Sequence, residues 1–117
     1  MTTSDMRHIL VINPNTTASM TAKIGEAARA AAGSATRITA VNPDVGPAAI
    51  QGPDDGAAAL PGLFALADRM LAVDKSIDAL IIACFDDTGL WELKQRWPVP
   101  VLGIGEAAYH MASLRAA

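Results

Sequence analysis

Four short apolar runs, separated by alanine-rich stretches of helical period, set what this 117-residue chain can fold into. The runs are Ile9-Leu-Val-Ile12, Arg37-Ile-Thr-Ala-Val41, Ala79 to Ala83, and Val99-Pro-Val-Leu-Gly-Ile104. Each is too short for a core helix, and turn residues bound it, so each reads as a buried strand. Between them, a helix from Thr16 or Thr17 to about Ala32 places Met20, Ile24, Ala27, Ala28 and Ala31 on one face. Thr16 or Thr17 can cap its start, and Gly33-Ser34 ends it. A second helix runs from about Asp54 to Val73, with Leu63, Leu66, Ala67, Met70 and Leu71 as its stripe. Pro61 bends it or delays its start to about Leu60. Gly89 to Arg96 is a short third helix, and Gly105 to Arg115 a fourth with Ala108, Met111 and Leu114 on one face. The pattern predicts one α/β domain over residues 1–117: a single open parallel sheet of about four strands, helices on both faces and right-handed crossovers.

An apolar fraction of 51% suffices for one core, and only 4% of residues are aromatic. That core therefore rests on Ala, Leu, Ile, Val and Met. A net charge of −3 argues against nucleic acid as a partner. The segment Met1 to Arg7 does not resemble a signal peptide, and no run reads as a membrane span, so a cytoplasmic protein is expected. A single cysteine excludes an intrachain disulfide and a CxxC site.

That cysteine, Cys84, stands where the third strand ends, in Ala83-Cys-Phe-Asp-Asp-Thr-Gly89. Ligands of open α/β sheets bind beyond the carboxyl ends of the strands. A thiol there can be a nucleophile, an acid/base, a metal ligand or a small apolar filler. The following helix N-terminus favours a thiolate, whereas Asp86 and Asp87 oppose it. These carboxylates and Thr88 lack a defined metal spacing, and helix capping by Asp87 or Thr88 explains them better. Asn13, after the first strand, can donate to a ligand carbonyl or make an Asx turn before Pro14. Residues 42–53, with Asn42-Pro43, Gly46-Pro47 and Gly52-Pro53, form an irregular loop of the kind that carries function.

Gly103-Ile-Gly105-Glu-Ala-Ala108 nearly matches a dinucleotide fingerprint, but no acidic residue follows at the required distance. Its glycines are expected to permit a tight strand-to-helix turn. His8 and His110 have no partner in sequence and read as structural or solvated. Trp91 and Trp97 flank the short helix and are expected to pack it onto the sheet.

Taken together, Ile12-Asn-Pro-Asn-Thr-Thr17, Gly46-Pro-Ala-Ala-Ile50, Ala83 to Gly89 and Val99 to Ala108 resemble the hydantoin racemases of the aspartate/glutamate racemase superfamily. The resemblance covers the N-terminal half of such proteins. It implies a cofactor-independent enzyme in which one cysteine removes an α-proton and a second, on the opposite face, returns one. By resemblance, Cys84 is the first-domain acid/base, and Asn13, Phe85, Asp86 and Thr88 bind a hydantoin or amino-acid derivative. No cofactor or metal is implied. The resemblance also implies a chain about twice as long, with the second cysteine in a domain that this sequence lacks. A fragment, or a half-length protein that completes its site by association as a homodimer or higher homo-oligomer, is therefore expected. A decarboxylase or cis–trans isomerase using one thiol, or a non-catalytic binder, is the alternative.

Overall fold

The computed structural model describes residues 6–116. The elements alternate as the sequence predicts: β1 (Arg7–Ile12), α1 (Ala18–Ala32), β2 (Thr36–Val41), α2 (Pro53–Val73), β3 (Ala79–Ile82), α3 (Leu90–Arg96), β4 (Val101–Gly103) and α4 (Ile104–Arg115). The strands form one parallel sheet in the order β2-β1-β3-β4. Ile12 pairs with both Val41 and Ile82, and Ile82 pairs with Gly103. The carboxyl ends of the strands therefore share one edge.

The chain leaves β1 toward β2 on one side and then crosses back to β3 and β4. The direction reverses between β1 and β3, where doubly wound sheets open a crevice for ligands. Right-handed crossovers put α1 on one face and α2 and α3 on the other.

The α2 face holds the main core. Leu10, Ile12, Leu80 and Ile82 project from the strands onto Leu63, Leu66, Ala67 and Leu71 of α2 and Leu90 and Leu93 of α3. Each such large side chain contributes roughly 1.5–3 kcal/mol of burial. α2 starts at Pro53, a favoured first position, with Asp54 and Asp55 in its positive first turn. Pro61 therefore does not delay it. Pro61 and Ala57 are exposed, so water can reach the carbonyl that the proline leaves unpaired. By length and composition α2 could cross a membrane, contrary to the sequence expectation. Its leucine stripe is instead engaged by the sheet.

α1 docks by a face rotated from the one its apolar spacing suggests. Ile24 and Ala28 are half-buried on it, but Thr21 and Gly25 are its buried residues, and Met20, Ala27 and Ala31 are exposed. A Cβ on Gly25 would stand 3.0 Å from the Ala40 Cβ, so the small residues let the helix lie close on β2. Close backbone approach has overridden the stripe of larger residues.

α4 departs furthest from expectation. Ala108, Met111 and Leu114 are all exposed, and Gly105 is its buried residue. No described element lies against that face. Only one tryptophan packs as expected: Trp97 reaches the core and donates from Nε1 to Asp68 Oδ1 at 2.7 Å. Trp91 is 69% exposed, with Lys94 above its ring.

Candidate active site

The thiol sits one residue past the last ladder bond of β3. Ala83 N–H donates to the Ile12 carbonyl at 2.8 Å, and the chain then turns at Cys84. The half-buried Cys84 Sγ lies 3.6 Å from Thr88 Oγ1, and Thr88 is itself buried. The turn closes through Asp87 N–H to the Cys84 carbonyl at 3.0 Å. Asp87 adopts a left-handed backbone, φ 52°, which asparagine and aspartate tolerate best among residues with a Cβ.

Asp87 does not cap α3, whose N-cap is Gly89. Its Oδ1 accepts instead from Gly105 N–H at 3.0 Å, in the first turn of α4. The two glycines of the Gly103-Ile-Gly105 turn explain why this works. A Cβ on Gly103 would collide with the Asp87 carboxylate, and one on Gly105 with the Phe85 carbonyl. The glycines form a seat that fixes the thiol-bearing loop.

Opposite the thiol, the loop after β1 builds a buried polar network. Asn13 Nδ2 donates to Asn15 Oδ1 at 2.8 Å and to Thr21 Oγ1 at 3.1 Å. Thr21 Oγ1 donates to Asn42 Oδ1 at 2.7 Å. Thr17 occupies the α1 N-cap position but makes no side-chain cap. Its hydroxyl donates to the Ala48 carbonyl at 2.7 Å, and Thr16 N–H donates to the Pro47 carbonyl at 3.0 Å. These bonds stitch the 42–52 loop onto the start of α1 and bring Ala49 and Ile50 over the crevice.

The result is a cavity of about 210 Å³ walled by Asn13, Asn15, Met20, Ala49, Ile50 and Cys84, among others. It lies at the reversal point between β1 and β3. The sequence brings Asn13 forward as a group that pairs with ligand. The structure puts Asn13 on this wall, with its amide nitrogen engaged inside the protein. Phe85 is 67% exposed, and Asp86 lines a neighbouring cavity of about 610 Å³ together with Asp87, Trp91 and Glu92. That cavity is larger, but its three carboxylates would repel an anion or a developing enolate. The smaller cavity holds the thiol and none of these carboxylates.

Asn15, Met20 and the seat formed by Gly103 and Gly105 were not singled out as site residues in the sequence. Asn15 carries a signal only in its position, two residues after Asn13 on the same turn. His8 lies at the other end of β1, far from this edge. It is buried, with Nε2 2.7 Å from Thr39 Oγ1 and Nδ1 accepting from Arg37 at 2.9 Å. Burial, then the Arg37 charge, hold its pKa below the usual 6.5. His8 is thus structural. His110 is exposed on α4. Among the described residues no three His, Cys, Asp or Glu groups converge on a metal position.

The family model described as Asp/Glu/Hydantoin racemase matches residues 9–117. Hydantoin racemase from Pseudomonas sp. (strain NS671) is 41% identical over 93% of this chain and 43% of its own length. Hydantoin racemase from Paenarthrobacter aurescens is 42% identical over 93% of this chain and 46% of its own. Among solved structures, allantoin racemase from Klebsiella pneumoniae gives a TM-score of 0.86 at 42% identity, covering 92% of this chain and 43% of that one. Allantoin racemase from Pseudomonas fluorescens gives 0.80 at 38% identity, covering 92% and 44%. The chain thus spans less than half the length of these relatives. With the match running from Ile9 through Ala117 at this identity, the chain belongs to the Asp/Glu/hydantoin racemase family.

Proposed function

We propose that this domain carries one half of a racemisation: proton transfer at a carbon acidified by a neighbouring carbonyl, with Cys84 as the acid/base. The observation that carries the reading is the Cys84 thiol on the wall of a cavity at the sheet's reversal point, in a chain of this family. In this reading the Cys84 thiolate takes the C–H proton of a hydantoin-type substrate, and the electron pair moves onto the carbonyl oxygen. The N–H groups of Phe85 and Asp86 make no hydrogen bond among the described residues, so they are free to support that oxygen as it becomes an enolate. Thr88 holds the sulfur in place. Racemisation further needs an acid on the opposite face, and the 117 residues contain one cysteine. We therefore read residues 1–117 as one of two domains that flank a substrate.

The test is solvent-deuterium incorporation into 5-methylhydantoin at C5, followed by proton NMR with chiral separation. The monomeric domain should exchange the proton without inverting the centre, and a dimer that supplies a second thiol should do both. Cys84→Ser should remove protein-dependent exchange, because a serine hydroxyl is too weakly acidic to replace a thiol. Exchange that survives at the wild-type rate would overturn the assignment. No protein-dependent exchange in the wild type would leave a binding domain rather than an enzyme half.

A second copy of the chain is the proposed source of the opposite acid. The exposed apolar face of α4, with Met111 and Leu114, and the exposed Leu102 of β4 support self-association. An isologous dimer presents the same patch twice. Two thiols flanking one carbon at near-attack distances of about 3–3.5 Å stand within roughly 8 Å of each other. Dimerisation in sedimentation runs and capture by a thiol crosslinker of that span are the expected results. A monomer at high concentration, or thiols out of reach, refutes this assembly.

A further inference from the structure

We infer that Asn15, rather than Asn13, is the side chain that hydrogen-bonds the substrate carbonyl, and that Asn13 is the residue that positions it. The inference rests on the acid/base reading of Cys84 for its chemistry, but not for its geometry.

The geometry begins with the orientation of the Asn15 amide. Its Oδ1 accepts from Asn13 Nδ2 at 2.8 Å and from Thr17 N–H at 2.9 Å. Turning the amide over would set its NH₂ against two donors, so the assignment of oxygen and nitrogen is fixed by the surroundings. Asn15 N–H in turn donates to Asn13 Oδ1 at 3.3 Å. The Asn13 amide thus holds both the backbone N–H and the side-chain oxygen of Asn15.

What remains is Asn15 Nδ2, with two N–H donors. The acceptor it meets is the Met20 sulfur at 3.3 Å. A thioether is a weak acceptor and can take one of the two hydrogens. Yet Asn15 is only 6% exposed. A strong donor in so buried a side chain is costly without an oxygen partner. Both Asn15 and Met20 belong to the wall of the cavity that holds Cys84. The Nδ2 hydrogen that the sulfur leaves over and the thiol thus border one small cavity, and a carbonyl oxygen entering it would complete the amide.

Asn13 has no such capacity. Its Nδ2 is engaged by Asn15 Oδ1, Thr21 Oγ1 and, at 3.5 Å, the Thr17 carbonyl. Its value lies in the chain Asn42–Thr21–Asn13–Asn15, which ties the donor to the end of β2 and the first turn of α1. The ligand class follows from the donor: a neutral or imide carbonyl beside an acidic C–H. As the proton leaves for Cys84, charge grows on that oxygen, and the Asn15 bond strengthens in the transition state.

The test uses the intact chain and 5-methylhydantoin as probe. Asn15→Asp keeps the acceptor for Asn13 and Thr17 and replaces the free donor by an acceptor. It should lower the rate constant for deuterium exchange about 10²–10³-fold, with a smaller change in KM, at a temperature where its thermal unfolding shows it to be folded. Asn13→Asp, which loses the donor to Asn15, should lower exchange less. A second readout does not need turnover. In ¹⁵N-labelled Cys84→Ser, the Asn15 side-chain NH₂ signal, identified by its loss in Asn15→Asp, should move downfield on titration with the probe. Asn15→Asp with wild-type exchange overturns the inference. So does an Asn15 signal that stays in place up to the solubility limit of the probe. If the wild type shows no exchange but the signal moves, the acid/base reading fails and the Asn15 contact stands.

Discussion

Replacing Gly105 by alanine should destabilise this domain, although the same change in an exposed helix normally stabilises it. Gly105 lies in the first turn of α4 and its φ is ordinary. On propensity alone, alanine gains up to about 1 kcal/mol there. The structure opposes that gain. A Cβ would collide with the backbone carbonyl of Phe85 and approach the Asp87 Oδ2 to 2.9 Å. A carbonyl cannot rotate away as a flexible side chain can, so the 84–89 loop or the start of α4 must move by roughly 1 Å. Overpacking costs typically 1–3 kcal/mol, and a weakened charged hydrogen bond from Gly105 to Asp87 adds to it; net of propensity, the loss is about 2 kcal/mol. Urea denaturation followed by tryptophan fluorescence measures this directly. The same shift carries Cys84 with it, so its rate of reaction with a disulfide reagent should also change. A Gly105→Ala protein as stable as wild type, or more so, refutes the idea that this glycine is a seat for the thiol loop.

His8 makes a prediction about pH. Its folded pKa is depressed, first by burial and then by Arg37, so the unfolded chain binds its proton more readily. Stability is then complete above pH 6.5 and declines as pH falls below it toward the depressed folded value. His8→Gln should flatten the slope of unfolding free energy in that window, and an unchanged slope would be the contrary result. In the core, Leu63 is fully buried between α2 and the sheet. Leu63→Ala should cost about 2–5 kcal/mol in the same urea assay, and a loss under 1 kcal/mol would show that α2 is not the main cover of the sheet.

The order and kind of all eight elements were legible because the apolar runs are short, β-branched and cleanly separated. The packing faces of α1 and α4 were not. Periodicity reports which residues are apolar, whereas α1 chose its face by how near Gly25 could bring it to Ala40. For α4 the period is present but the described residues offer nothing to receive it. The position of Cys84 was legible from the end of an apolar run. The engagement of Asn13 was not, since it depends on Thr21 and Asn42, brought to it by a helix turn and a neighbouring strand. The near-fingerprint at Gly103 and Gly105 illustrates the same point. The spacing suggested a tight turn, but the lack of side chains serves residues 85 and 87, some 18 positions earlier in the chain.

The isolation of α4 has a consequence for motion. A 12-residue helix with one buried residue is close to the length at which helices in water are marginal. Its later turns should therefore open at low free energy, and their amides should exchange with solvent long before those of β1 and β3. Its first turn, however, holds Asp87 through Gly105. Fraying that reaches this turn releases the carboxylate and lets the thiol loop relax with it. Whatever orders α4 by covering Met111 and Leu114 also lowers the entropy that the Cys84 loop must lose when a ligand binds. The helix and the cavity are then energetically coupled, with no rigid-body movement required between them.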